Sequence, residues 1–211
     1  MSFRIFGIPV TVHWSFWITM ALLGGVVGAT GPEAWSKIVL FAAAGFISIL
    51  IHELGHGLSA AKFGAHSIRI QLYALGGLCY FANHGMSRRQ DFLVSAAGPA
   101  AGYALGLLTL VLARQLLPAD APPMVHHFVI VMVFINLFWS TANLLPVLPL
   151  DGGQMLRAAL GPRRLRATLI ISIITAALLI PVGIRLGFII LPIVGAFLAW
   201  QSIKELQSLG R

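Results

Sequence analysis

The sequence predicts an all-α polytopic membrane protein of about six transmembrane helices, with a small membrane-associated β-hairpin near residues 66–82. Three observations predict it. Of 211 residues, 58% are hydrophobic and only 9% are charged, and the mean hydropathy is +0.91. A soluble domain carries roughly 25% charged residues, so a water-facing surface is out of reach for this chain. The apolar residues also fall into runs of about the 20 residues that a bilayer requires. Between 65 and 84 the pattern changes. Ile68, Ile70 and Leu72 alternate with Arg69, Gln71 and Tyr73, a period of two that belongs to a strand.

The elements follow in order. A first span covers about 10–29; Arg4 precedes it, but the small-residue cleavage site of a secretory signal is missing. GPEAWSK (31–37) reads as a turn. A second span runs over about 38–61. In the hairpin, Gly76–Gly77 supplies the turn and residues 78–81 the second strand. A third span covers about 92–113 and a fourth about 125–145, the latter broken by Pro146 and Pro149. Two shorter spans, about 167–182 and 186–203, close the chain, with Pro181, Gly183 and Gly187 as candidate bend points. Residues 1–211 read as one integral-membrane domain, since no segment is long enough for a second. The lone Cys79 excludes an internal disulfide and a multi-cysteine metal cluster.

The net charge of +8 raises the question of nucleic acid, but the positions of the charges answer it. With six spans, eleven of the fourteen Lys and Arg residues share a side with both termini, and Lys37, Arg114 and Arg185 occupy the other. That bias places the first side in the cytoplasm, and no nucleic-acid partner is expected.

The chemistry begins with the acids. There are six, and Glu53 lies well inside a span, where an ionisable residue marks function by default. His52-Glu53-Leu54-Gly55-His56 fits H-E-x-x-H, a pattern expected by accident in about three of a thousand chains of this composition. Residues i and i+4 share a helix face, so both imidazoles reach one metal ion. The offset glutamate is placed to act on the water at that ion. Zinc suits histidine nitrogen and carboxylate oxygen, and a catalytic site takes three protein ligands. Asp151 is the best third ligand: it follows a proline-broken helix end, and Gly152–Gly153 let the backbone turn its carboxylate inward. Capping a helix over 152–160 is the alternative for Asp151. His84, His126 and His127 are fallback ligands, the last two on the opposite membrane face.

At this point the sequence resembles the site-2 protease family of intramembrane zinc metalloproteases. The resemblance rests on H-E-x-x-H at 52–56 and on N-x-x-P-x-x-x-x-D-G at 143–152, in that order on two membrane segments. It extends over about residues 38–160, the expected catalytic core, in a minimal form without PDZ or CBS domains. It implies that His52, His56 and Asp151 hold one Zn2+ and that Glu53 is the general base. Asn143 would hydrogen-bond the substrate or the transition state, with an interhelical hydrogen bond as the alternative. The hairpin at Gly76 and Gly77 would offer an edge strand to an unwound substrate. The implied activity is hydrolysis of peptide bonds in or near transmembrane segments. The implied partners are a single-span membrane protein and the lipid bilayer. The implied location is the bacterial cytoplasmic membrane, with both termini and the active-site end cytoplasmic. The chain departs from the family's frequent G-P-x-x-N, since Gly98-Pro99-Ala100-Ala101-Gly102 ends in glycine. Two alternatives stand beside it: a membrane zinc hydrolase acting on a lipid or small amide, with the same metal chemistry, and a non-catalytic metal-binding membrane protein.

Overall fold

The two periodicities seen in the sequence become helices and one four-stranded sheet in the computed structural model, which describes residues 1–82, 85–188 and 190–209. The fallback ligand His84 lies outside the described residues. The chain divides into two compact units, residues 1–85 with 97–141 and residues 86–96 with 142–211.

The first unit contains the sheet. Strands β1 (Ser2–Ile5) and β2 (Ile8–Val12) form an antiparallel hairpin. Its turn is Phe6–Gly7, with φ of 50° and 79°, the left-handed pair that a two-residue hairpin turn demands. Helices α1 (Trp14–Leu23) and α2 (Gly31–Lys62) follow. They carry the chain over to β3 (His66–Tyr73), which pairs parallel with β2 through Val10↔Ile70 and Val12↔Leu72. Parallel neighbours need such a crossover. Strand β4 (Gly76–Ala82) pairs antiparallel with β3 and is the outer strand of the order β1-β2-β3-β4. Ile8, Val10, Val12, Ile70 and Leu72 turn to one face and pack with Phe16 and Met20 of α1 and Ile49, Leu50 and Leu54 of α2.

The expected hairpin is therefore present but is half of a larger sheet. The expected span at 10–29 differs most. Residues 10–12 belong to β2, and α1 is only ten residues long. The alternation of Ile8, Val10 and Val12 finds its partner in β3, some sixty residues away, and pairing at that separation is invisible to local pattern. GPEAWSK is also not a turn but the start of α2. Proline is tolerated in a first helical turn because the N–H it lacks has no partner there. Ser36 Oγ donates to the Pro32 carbonyl at 2.9 Å, and Lys37 pairs with Glu33 at 2.8 Å.

Helices α3 (Arg88–Leu116) and α4 (Pro123–Asn143) contribute to both units. The second unit adds α5 (Asp151–Leu160), a 3-10 turn at Pro162–Arg164, α6 (Leu165–Leu186) and α7 (Ile190–Ser208). Helices α6 and α7 pack closely at small residues: a Cβ on Gly183 would stand 2.4 Å from Pro192 Cδ, and one on Gly195 would stand 2.7 Å from the Ala176 carbonyl oxygen. Gly187 caps α6 in the left-handed region. Among the described residues, four helical segments are long and apolar enough to cross a membrane: Gly31–Lys62, Arg88–Leu116, Pro123–Asn143 and Pro162–Leu186. This is the expected class, an α-helical membrane protein with a small sheet, with four such segments where about six spans were expected.

Candidate metal centre

The H-E-x-x-H motif occupies the buried stripe of α2. His52, Glu53 and His56 are 2%, 5% and 8% exposed. One helical turn brings the imidazoles together, with ring centroids 4.9 Å apart, planes at 78° and Nε2 atoms 3.2 Å apart. Two nitrogens bound to one tetrahedral ion at about 2.05 Å stand about 3.3 Å apart, so the observed separation fits a shared ion. His52 and His56 thus offer two of the three protein donors that a catalytic zinc takes, and Asp151, at the start of α5 in the second unit, is the carboxylate expected as the third. Two imidazole nitrogens and a carboxylate oxygen are a donor set that zinc accepts.

Small residues make this geometry possible. A Cβ on Gly55, inside the motif, would stand 2.5 Å from the Ala97 carbonyl oxygen, so α2 and α3 meet backbone to backbone there. One helical position further along α3, a Cβ on Gly98 would stand 2.1 Å from His56 Nε2. The small face of Gly98 and Gly102 thus serves two partners: Gly98 faces His56, and Gly102 faces α4, where a Cβ would stand 2.2 Å from Ser140 Oγ. The asparagine of the G-P-x-x-N pattern has no room at 102.

The Gly76–Gly77 pair is not the hairpin turn. It opens β4 itself, and the turn is Ala74–Leu75. Close approach explains both glycines. Gly76 has φ +118° and lies against the Trp139 ring, where a Cβ would stand 2.6 Å from Cζ2. A Cβ on Gly77 would stand 2.4 Å from Glu53 Cγ and 2.5 Å from Oε1. The Glu53 side chain therefore rests directly on the backbone of the outer strand. Gly77→Ala should displace the Glu53 carboxylate while leaving the histidines in place. With Glu53 as the general base that the sequence leads one to expect, the result should be a tenfold or greater loss of peptide hydrolysis, on the scale of a catalytic group misplaced by about 1 Å, at unchanged metal content. Metal content falling in parallel with activity would contradict this assignment.

Asp151 is the first residue of α5, whose N-cap is Leu150, so it stands one position inside the helix from the capping position. Gly152 and Gly153 are helical. Their role is room: Cβ atoms there would stand 2.1 Å from the Leu144 carbonyl oxygen and 2.5 Å from Leu148 N. Asn143, the last residue of α4, is half-buried. His126 and His127 lie near the start of α4 and belong to no metal-holding group among the described residues.

Ser48 and Asn136 were not anticipated. Asn136 is 1% exposed and donates from Nδ2 to Ser48 Oγ and to the Met132 carbonyl, both at 2.8 Å. Ser48 lies one turn before His52, so this bond ties the stretch of α2 that carries the candidate ligands to α4.

Cys79 of β4 sits beside Gly57, with Sγ 3.5 Å from where a Cβ would stand. Burial pushes its thiol up to about 12, and the negative charge of Glu53 adds to this. A group raised this far stays protonated until pH approaches that value. At pH 8 it should carry on the order of a thousandfold less thiolate than a free cysteine. Iodoacetamide labelling of the folded protein, read by mass spectrometry, should be correspondingly slow and should quicken in Glu53→Gln. Labelling at the rate of a free thiol would refute it.

Fold and site together define a helical membrane protein that carries an H-E-x-x-H motif beside an outer strand of a small sheet. Comparison with known proteins gives the family. The model of Peptidase family M50 matches residues 40–119 and 115–182, and the chain belongs to that family. It is 27% identical over 162 residues to the zinc metalloprotease MJ0392 of Methanocaldococcus jannaschii, covering 76% of this chain and 45% of that protein. It is 36% identical over 150 residues to stage IV sporulation protein FB of Bacillus subtilis, covering 71% and 46%. The chain thus spans less than half the length of these two relatives. The solved site-2 protease from Methanocaldococcus jannaschii shares the fold, with a TM-score of 0.68 at 24% identity over 98% of this chain and 95% of that one.

Proposed function

We propose that the protein is an intramembrane zinc metalloendopeptidase that hydrolyses peptide bonds in or near transmembrane segments, with its catalytic core in about residues 38–160. The observation that carries this reading is the contact of Glu53 with the backbone of an outer strand, beside two histidines whose Nε2 atoms are 3.2 Å apart. A base at that place meets a polypeptide added to the strand edge.

His52, His56 and Asp151 would hold the zinc. When bound, zinc supplies Lewis acidity, which makes water a competent nucleophile at neutral pH and polarises a carbonyl. The remaining work falls to the chain. Strand β4 takes an unwound substrate segment by main-chain pairing, which suits a helix that must open before it can be cut. Glu53 accepts the proton of the attacking water and returns it to the leaving amine. Asn143 donates a hydrogen bond to the substrate backbone. Buried side chains around the motif keep bulk water away from these charges and so strengthen them. The expected substrate is a single-span membrane protein. In the six-span reading, eleven of the fourteen lysines and arginines share a side with both termini, which supports a cytoplasmic membrane with the termini and active-site end cytoplasmic.

The test is metal removal. The purified chain in detergent should hold one zinc per molecule, lose cleavage of a single-span reporter on chelation and regain it with added zinc. Asp151→Ala should weaken zinc binding by tenfold or more, since ligands outrank the supporting residues whose loss costs about 10–100-fold. Cleavage that persists without zinc would overturn the reading, and zinc binding unaffected by Asp151→Ala would remove Asp151 from the ligand set.

A further inference from the structure

Within the unit of residues 86–96 and 142–211 lies an open groove of about 700 Å³, lined by residues of 87–93 and 158–159, that the proposed proteolysis does not use. This is within the roughly 300–1,000 Å³ typical of small-ligand sites. One wall is the start of α3, with Ser87, Arg88, Arg89, Phe92 and Leu93; the other is the end of α5, with Ala158 and Ala159.

The walls are built rather than incidental. Ser87 and Gln90 form a reciprocal cap. The Ser87 backbone N–H donates to Gln90 Oε1 at 2.8 Å, and the Gln90 N–H donates to Ser87 Oγ at 3.4 Å. Arg88 donates Nε to the Ala158 carbonyl at 2.8 Å and Nη2 to the Ala159 carbonyl. These carbonyls at a helix end have no partner within the helix. The guanidinium packs over buried Gly161, where φ is +84° and a Cβ would stand 2.8 Å from Cζ. One cation is thereby fixed at the groove, and exposed Arg89 sets a second beside it. Arg157, Arg163, Arg164 and Arg166 follow on the same stretch of chain, all exposed, and residues 86–96 and 152–170 contain one acid, Asp91, against these six arginines.

The other half of the groove is apolar. Phe92 and Leu93 are 36% and 51% exposed and open the apolar stretch of α3. Clustered arginines above an apolar wall, at the end of a segment that can cross a bilayer, match one ligand shape: a phosphate carrying an acyl chain. A free phosphate has no use for the wall, and a zwitterionic lipid has no net charge to set against the arginines. We infer that this groove binds one anionic phospholipid, with its phosphate on Arg88 and Arg89 and its acyl chain over Phe92 and Leu93.

The inference rests on the chain being embedded in a membrane and not on its cutting peptides. The full chain in neutral detergent, followed by native mass spectrometry, tests it. Phosphatidylglycerol should be retained as one adduct, and phosphatidylcholine of the same chains should not. Arg89→Gln should lower retention about fivefold, the effect of one arginine near an anionic headgroup. Ala159→Trp fills the groove without changing charge and should abolish the adduct, whereas Arg185→Gln, at the end of α6, should leave it intact. Equal retention of the two lipids would overturn the proposal, as would an adduct that survives Ala159→Trp, which would indicate diffuse attraction. Displacement of the lipid by inorganic phosphate would assign the site to a free anion and overturn it too. Recovery of the chain from the aqueous fraction without detergent would remove its premise while leaving the metal chemistry standing.

Discussion

Glu53→Gln should keep its zinc and lose peptide hydrolysis by about 10²- to 10⁴-fold, the range that a positioned general base supplies. The substitution preserves volume, so the side chain still rests on Gly77 and the buried stripe of α2 still packs. What changes is one function: an amide cannot take the proton of the attacking water. Zinc content measured by elemental analysis, beside cleavage of a single-span reporter, separates the two quantities. A merely metal-binding protein would show zinc in both forms and depend on Glu53 for nothing. Equal cleavage by wild type and variant would remove Glu53 from the mechanism.

Gly98→Ala should do the opposite and remove the metal. A methyl group there would stand 2.1 Å from His56 Nε2, 2.5 Å from Cε1 and 2.7 Å from Cδ2, so it meets the edge of the ring that carries the donor atom. The imidazole must swing away, and the 3.2 Å approach to His52 is lost with it. Zinc affinity should fall by at least the 10–100-fold seen when a ligand loses its support, and cleavage should fall in parallel. The fold itself should not weaken through backbone preference, since alanine favours a helix over glycine by about 1 kcal/mol. Circular dichroism showing intact helix, beside a zinc titration showing weak binding, is the expected pair of results. Full zinc occupancy at the wild-type affinity would show that His56 has room to adjust and that Gly98 is only a packing residue. Gly98→Ala and Gly77→Ala thus form a matched pair: the same added methyl group, one against the candidate ligand His56 and one against the candidate base Glu53.

The relation between sequence and structure is uneven in an informative way. The candidate ligands and base were legible because the chemistry is local or rare. His52, Glu53 and His56 lie within one helical turn, and acids are scarce in an apolar chain. The strand period of residues 68–73 was legible for the same reason. Residues 8–12 carry that period too, but their partner strand is sixty residues on, so their pairing depends on a crossover that no window contains. The glycines were visible as glycines but were assigned the wrong work. Gly76, Gly77, Gly152 and Gly153 suggested turning backbone, yet they are places where another group comes too close for a Cβ. Asn136 and Ser48 face each other across 88 positions and had no local pattern to announce them.

Composition and two short motifs were therefore sufficient for the membrane class, the family likeness and the candidate donors, because apolar run length and residue chemistry are properties of neighbours along the chain. The four-stranded sheet, the rest of Glu53 on β4, the seat of His56 on Gly98 and the arginine-walled groove came from packing alone. Each depends on a distance between residues far apart in sequence, and such a distance exists only once the chain has folded.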